Sequence, residues 1–159
     1  MSLKGMTELE IRKGRRSVFL KEGELEPIEY NKFVEAIERH KPFFIWREDT
    51  EIWGNSEREY YLKTKGHIPE SYYKHSACCI PVKNENYYRF QISFLKEFDI
   101  IKITNTAQAR MTLEFLEILY EIAEFCNCKL YYTATKFITK DRIESEKNLI
   151  KERKSLKTK

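Results

Sequence analysis

Glycine and proline are scarce, five and four in 159 residues, which argues against long flexible linkers and for one domain of ordinary size. No apolar run is long enough to cross a bilayer, and the first sixteen residues lack the apolar segment of a secretory leader. The expectation is a cytoplasmic protein with no membrane partner. The four cysteines include no CxxC pair: Cys78 and Cys79 are adjacent, and Cys126 and Cys128 straddle the end of a helical stretch. Neighbours in a strand face opposite sides of a sheet, so Cys78 and Cys79 cannot share a metal without distortion. Free thiols, no metal and no cofactor are expected. Glycine-rich phosphate loops, a GxSxG elbow, kinase signatures and HExxH spacing are all missing, and each absence removes a class of enzyme.

What is present is a globular composition, 42% hydrophobic, with ten tyrosines and ten phenylalanines carrying an unusual share of the apolar area. The 29 basic and 25 acidic residues are interleaved, so the net charge of +4 implies no dominant field. Only the ends are basic in blocks: Arg12, Lys13, Arg15 and Arg16 near the start, and Lys151, Arg153, Lys154, Lys157 and Lys159 at the finish. They read as solvated tails, with contact to phosphate as the alternative.

The stretch 106–127 organises the fold. At about 100° per residue, Glu114, Glu117, Glu121 and Glu124 share a strip roughly 80° wide, and nearly all the rest of the wheel is apolar. Such a helix must be covered on two sides, by a sheet and by another helix or a second molecule. Asn105 with Gln108 reads as its capping box. A shorter amphipathic helix is expected over 27–41, ended by Pro42. Strands are expected at 17–21, 43–47, 51–53, 59–63, 77–82, 87–95, 98–104 and 129–135, with a short one at 8–12 and a long loop at 64–74. The pieces 98–104 and 129–135 flank the long helix as a β–α–β unit, parallel if they share a sheet. A split β–α–β drawing from 17–47 and 98–135 is one topology. The broader expectation is α+β: a largely antiparallel sheet of five to seven strands packed by helices at 27–41 and 105–127, plus a charged C-terminal helix. The division is a polar lead-in at 1–16, a globular domain at 17–139 and a charged helical tail at 140–159.

Four Tyr-Tyr pairs lie on or beside expected strands: Tyr60-Tyr61, Tyr72-Tyr73, Tyr87-Tyr88 and Tyr131-Tyr132. Alternation sends one member of each pair to the outer sheet face, joined by Trp46 or Trp53 and by Arg89. Exposed aromatics in a cluster mark an interface more often than chemistry. The first expectation is therefore a non-catalytic protein that binds another protein through this face, of a regulatory or toxin-neutralising kind, and forms a homodimer. The alternative is nucleic acid, with bases stacked on the tyrosines beside the basic ends. The second alternative is an enzyme whose site is the 64–75 loop, with His67, Glu70 and His75 as acid–base candidates. The bland reading of the same tyrosines is a covered face with satisfied hydroxyls.

Overall fold

A computed structural model describes residues 8–41, 43–69, 73–79, 90–105 and 111–157. The elements are β1 (Glu8–Arg12), α1 (Tyr30–Arg39), β2 (Phe44–Trp46), a 3-10 turn (Arg47–Asp49), α2 (Glu51–Lys65), β3 (Ser76–Cys79), β4 (Phe90–Leu95), β5 (Ile100–Asn105), α3 (Leu113–Phe125), β6 (Lys129–Tyr131) and α4 (Lys140–Lys157). The six strands form one sheet in the order β2-β3-β4-β5-β1-β6, and every neighbouring pair is antiparallel. The architecture is α+β in a single domain.

Alternation along each strand builds the core. Leu9, Ile103, Ile92, Ala77 and Trp46 are successive register partners across five strands, all buried on one face. Ile11 pairs with both Ile101 and Leu130 on the same face. Phe33, Ala36 and Ile37 of α1 and Phe115, Leu116, Leu119, Ile122 and Ala123 of α3 join these residues in one cluster. On the opposite face Tyr131, Glu10, Lys102, Ser93 and Ser76 form one polar register row, Glu8, Thr104, Gln91, Cys78 and Ile45 form the next, and Ile100 pairs with Leu95 beyond.

β5 and β6 run parallel but do not touch, because β1 lies between them and pairs antiparallel with both. The β5–α3–β6 unit is thus a split β–α–β whose gap is filled by a strand from the far N-terminal side. β1, expected as a short strand inside a polar lead-in, is an interior strand of the sheet.

Three expectations are corrected. The segments 51–53 and 59–63 are not strands; both lie in α2, and so do Gly54 and Asn55, which read as a turn. The helix draws on Glu, Arg, Leu and Lys, on the i,i+4 spacing of Glu59 and Lys63, and on Lys65 Nζ standing 5.7 Å from the Tyr61 ring centroid. It ends at Gly66, whose positive φ of 75° favours glycine and whose N–H donates to the Leu62 carbonyl. The segment 17–21 is also not a strand. Its backbone is taken by side chains: the Arg16 guanidinium donates to the Ser17 and Val18 carbonyls, and Glu24 accepts from the Ser17 N–H. Finally, Asn105 does not cap the long helix. It ends β5 opposite Phe90, and the cap is Thr112, whose hydroxyl accepts from the Phe115 N–H at 3.2 Å. Pro42, Pro81 and Gln108 lie outside the described residues.

The two apolar flanks of α3 are covered within the chain. α1 packs on one side, and α4 on the other through buried Ile143 and a 3.2 Å ion pair from Lys147 to Glu117. A second copy is therefore not required to explain the wide apolar arc.

Candidate binding surface

Trp46, expected on the outer face, is 1% exposed on the core face, edge-on to Phe33, with its Nε1 donating to Glu38 at 3.1 Å. That reverses its expected role, because β2 carries Phe44 and Trp46 inward and only Ile45 outward. Tyr131 is on the outer face but buried under the Arg12 guanidinium, 3.9 Å from its ring centroid. The described outer face is consequently mixed, with carboxylates, hydroxyls, an amide and basic groups beside Ile45, Leu95 and the buried Cys78 and Ile100, and it is not an aromatic sheet. Tyr72, Tyr87, Tyr88, Arg89 and Glu70 lie outside the described residues, and Trp53 falls within α2.

The aromatics that do reach solvent are elsewhere. Tyr60 is 61% exposed, and it meets half-buried Tyr61 edge-to-face with centroids 5.4 Å apart. Leu62, about 200° round the helix from Tyr60, is exposed as well. From 55 to 65, no side chain of α2 is buried. The helix is braced at its base by polar contacts: Arg47 with Glu57, and Arg58 donating to the Glu48 carbonyl. Tyr73 is also exposed, in a turn pinned by the Tyr30 hydroxyl, which donates to the carbonyls of Tyr73 and Lys74. Lys74 takes a left-handed φ of 53° there, and its N–H donates to buried Glu48 at 2.9 Å.

Each of the two loop histidines has its Nδ1 on a backbone carbonyl. His75 Nδ1 lies 2.7 Å from the Tyr73 carbonyl, and His67 Nδ1 lies 3.0 Å from that of Lys65. Carbonyls only accept, so both Nδ1 atoms carry the proton. The His75 ring stacks on Tyr30 at 4.8 Å. Nothing among the described residues sets either imidazole against a carboxylate as an acid–base pair. No described group of three or more His, Cys, Asp or Glu has the geometry to hold a metal ion. The four cysteines are buried free thiols; burial raises Cys78 and Cys126 to about 11 and Cys128 to about 12, and pushes Cys79 up as well. Thiols so raised are poor nucleophiles near neutral pH.

A groove of about 460 Å³ between α1 and α3 is lined by Ala36, Arg39, His40, Glu121, Glu124 and Phe125. Its polar groups have partners: His40 Nε2 is 3.6 Å from Glu121, and Arg39, 3.5 Å from Glu35, sits 4.2 Å over the Phe125 ring.

Two polar knots escaped the sequence reading. In one, Glu10 accepts from Arg12 at 2.8 Å and from Arg16 at 2.6 and 3.0 Å. Burial raises the Glu10 pKa, but the two guanidiniums outweigh it and leave the carboxyl below its ordinary value. In the other, Glu38 receives Lys41 at 2.9 Å, Lys74 at 3.1 Å and the Trp46 indole, which ties α1 to β2 and to the 73–75 turn. The Lys41 contact leads in holding Glu38 down to about 2. Its folded pKa lies below the unfolded one, so its stabilisation is complete above about 4.5 and is withdrawn as pH falls toward about 2. Thermal melts should show wild type above Glu38→Gln at pH 7 and the gap closing by pH 2. A gap of constant size across that range would refute the assignment.

No protein-family model, curated protein or solved structure matches this chain. The functional reading therefore rests on geometry.

Proposed function

We propose that this chain is a small non-catalytic interaction protein that binds another protein through the aromatic patch of α2. The observation that carries this reading is a helix with no buried side chain from 55 to 65 that nonetheless presents Tyr60 and Leu62 to water. Residues 55–65 place no buried side chain in the core, and tyrosines on such a stretch are favoured binding anchors, since a ring buries a large area with few rotors to freeze. The polar braces at Glu57 and Arg58 orient the helix without hiding it. A second reading, single-stranded nucleic acid stacking on the same rings, draws on Lys63 and Lys65 beside them. Catalysis in the 64–75 loop would need a carboxylate set against the free Nε2 of His67 or His75, and none is placed there among the described residues.

The test compares the native mass of wild type and Tyr60→Ser, each purified gently from the cells that make it, with and without nuclease. The reading expects a complex with a second chain in wild type, insensitive to nuclease and lost in Tyr60→Ser at an unchanged melting temperature. A mass of exactly two copies would identify the partner as this chain itself. Equal complexes in both proteins, or none in either, would defeat the reading.

A further inference from the structure

The loop 17–24 holds three consecutive apolar side chains away from the protein: Val18 at 80%, Phe19 at 81% and Leu20 at 41% exposure. Water disfavours such a tip, and a free loop would fold it inward. Here the backbone is clamped. The Ser17 N–H and hydroxyl both donate to Glu24 Oε1, at 2.8 and 2.7 Å, closing the base of the loop. The Arg16 N–H donates to the Ala134 carbonyl at 3.0 Å, and its guanidinium reaches Ser17 and Val18 on one side and Glu10 on the other. So pinned, the Phe19 ring finds no cover in its own chain, and it has little freedom to lose on contact with another.

The same chain carries a pocket of ring size. It opens between α3 and the segment after β6, has walls from Tyr120, Ala123, Cys128, Leu130, Phe137 and Ile138, and measures about 170 Å³. An apolar cavity of about 150 Å³ holds a benzene ring. Two of these walls are rings and a third is a thiol, groups that pack well against an aromatic edge. At the rim Lys129 and Lys140 stand with Glu124, whose carboxylate already takes the Tyr120 hydroxyl. The loop is of opposite sign: from Ser17 to Glu26 it sets one basic residue, Lys21, against Glu22, Glu24 and Glu26, and it stays acidic with Arg15 counted, since Arg16 is paired with Glu10.

We infer that Phe19 of one copy inserts into this pocket of a second copy. Ring size and wall chemistry select that occupant, and the opposite charges of loop and rim favour it at longer range. A phenylalanine buries about 150–250 Å², far short of a stable interface of roughly 1,200 Å². The association is therefore weak and rises with concentration. It is separate from the α2 surface, and either assignment stands without the other.

The experiment is sedimentation equilibrium of the full chain from about 10 µM to about 1 mM, the range in which weak association shows. Wild type should rise in mass above one copy as concentration rises. Phe19→Ser should weaken the association about tenfold or more, since a buried phenylalanine is lost, at an unchanged melting temperature because the ring is exposed. Ala123→Leu, which grows a side chain from the pocket wall, should weaken it as well. Dissolved toluene, competing for the same space, should dissociate wild type with no substitution at all. Tyr60→Ser should associate like wild type, so failure here and failure of the α2 reading are told apart. A mass of one copy at every concentration would overturn the proposal. Association unaffected by Phe19→Ser would overturn it, and its loss in Tyr60→Ser instead would assign the contact to α2. Loss in Phe19→Ser, with wild type indifferent to toluene and Ala123→Leu like wild type, would overturn the pocket as the receptor of the ring.

Discussion

Replacing Leu116 or Leu119 with alanine should lower stability by about 2–5 kcal/mol, a fall of roughly 4–20 °C in melting temperature for a chain of this size. Both side chains are fully buried in the one core cluster, between the sheet below and α1 beside them. α3 is held from three directions, by β6, α1 and α4. A surround fixed by a six-stranded sheet relaxes poorly around a hole, so the lost transfer free energy and the cavity add. Glu121→Ala on the exposed strip of the same helix should change stability by no more than about 0.5 kcal/mol. Losses of only a few degrees in both leucine variants would mean that α3 is not the main core element.

Arg12→Met should cost about 3 kcal/mol, or roughly 6–12 °C, although the residue belongs to a block of charges that reads as a solvated tail. Arg12 is 0% exposed. Its Nε donates to Glu10 at 2.8 Å, Nη1 to the Gly14 carbonyl and Nη2 to the Thr133 carbonyl at 2.7 Å, and the guanidinium plane covers Tyr131. Methionine fills the volume but strands two carbonyls and leaves Glu10 to Arg16 alone. The cost is set at the low end for a buried pair because Arg16 still neutralises the carboxylate. Arg12→Lys should recover little, since an ammonium cannot span three acceptors with a planar fork. Arg15→Met is the control, exposed and expected to be neutral. Equal melting temperatures for Arg12→Met and Arg15→Met would contradict the clamp.

The parts that were legible in the sequence are those where one periodicity dominates. The acidic strip of α3, the alternation Phe90, Ile92, Phe94 in β4, and the amphipathic spacing Phe33, Ile37 in α1 all read correctly, because burial on one face leaves a regular trace. The misread parts have competing explanations of equal strength. Aromatic-rich 51–63 has strand composition, but its charged residues sit at helical spacing and no sheet edge receives it. The run at 17–21 has strand propensity, but Arg16 and Glu24 capture the backbone groups a ladder needs. Arg12 looks like a tail charge because burial of a cation shows only once Glu10, Gly14 and Thr133 converge, 121 residues of separation being invisible to local pattern. The one local clue was Glu8, Glu10 and Arg12 alternating with Leu9 and Ile11, which marks a strand with a polar face.

The exposed aromatics followed the same rule. Tyr60 and Tyr61 have strand composition but stand on a helix, and the register of Trp46 with Ala77 turns the indole inward.

The central claim is that Tyr60 faces a partner. A photo-crosslinking phenylalanine derivative placed at position 60, illuminated in whole cells that make the protein, tests it most directly. The account predicts one discrete adduct heavier than the chain at position 60 and none at half-buried Tyr132. No adduct at position 60, or the same diffuse products at both positions, would contradict it.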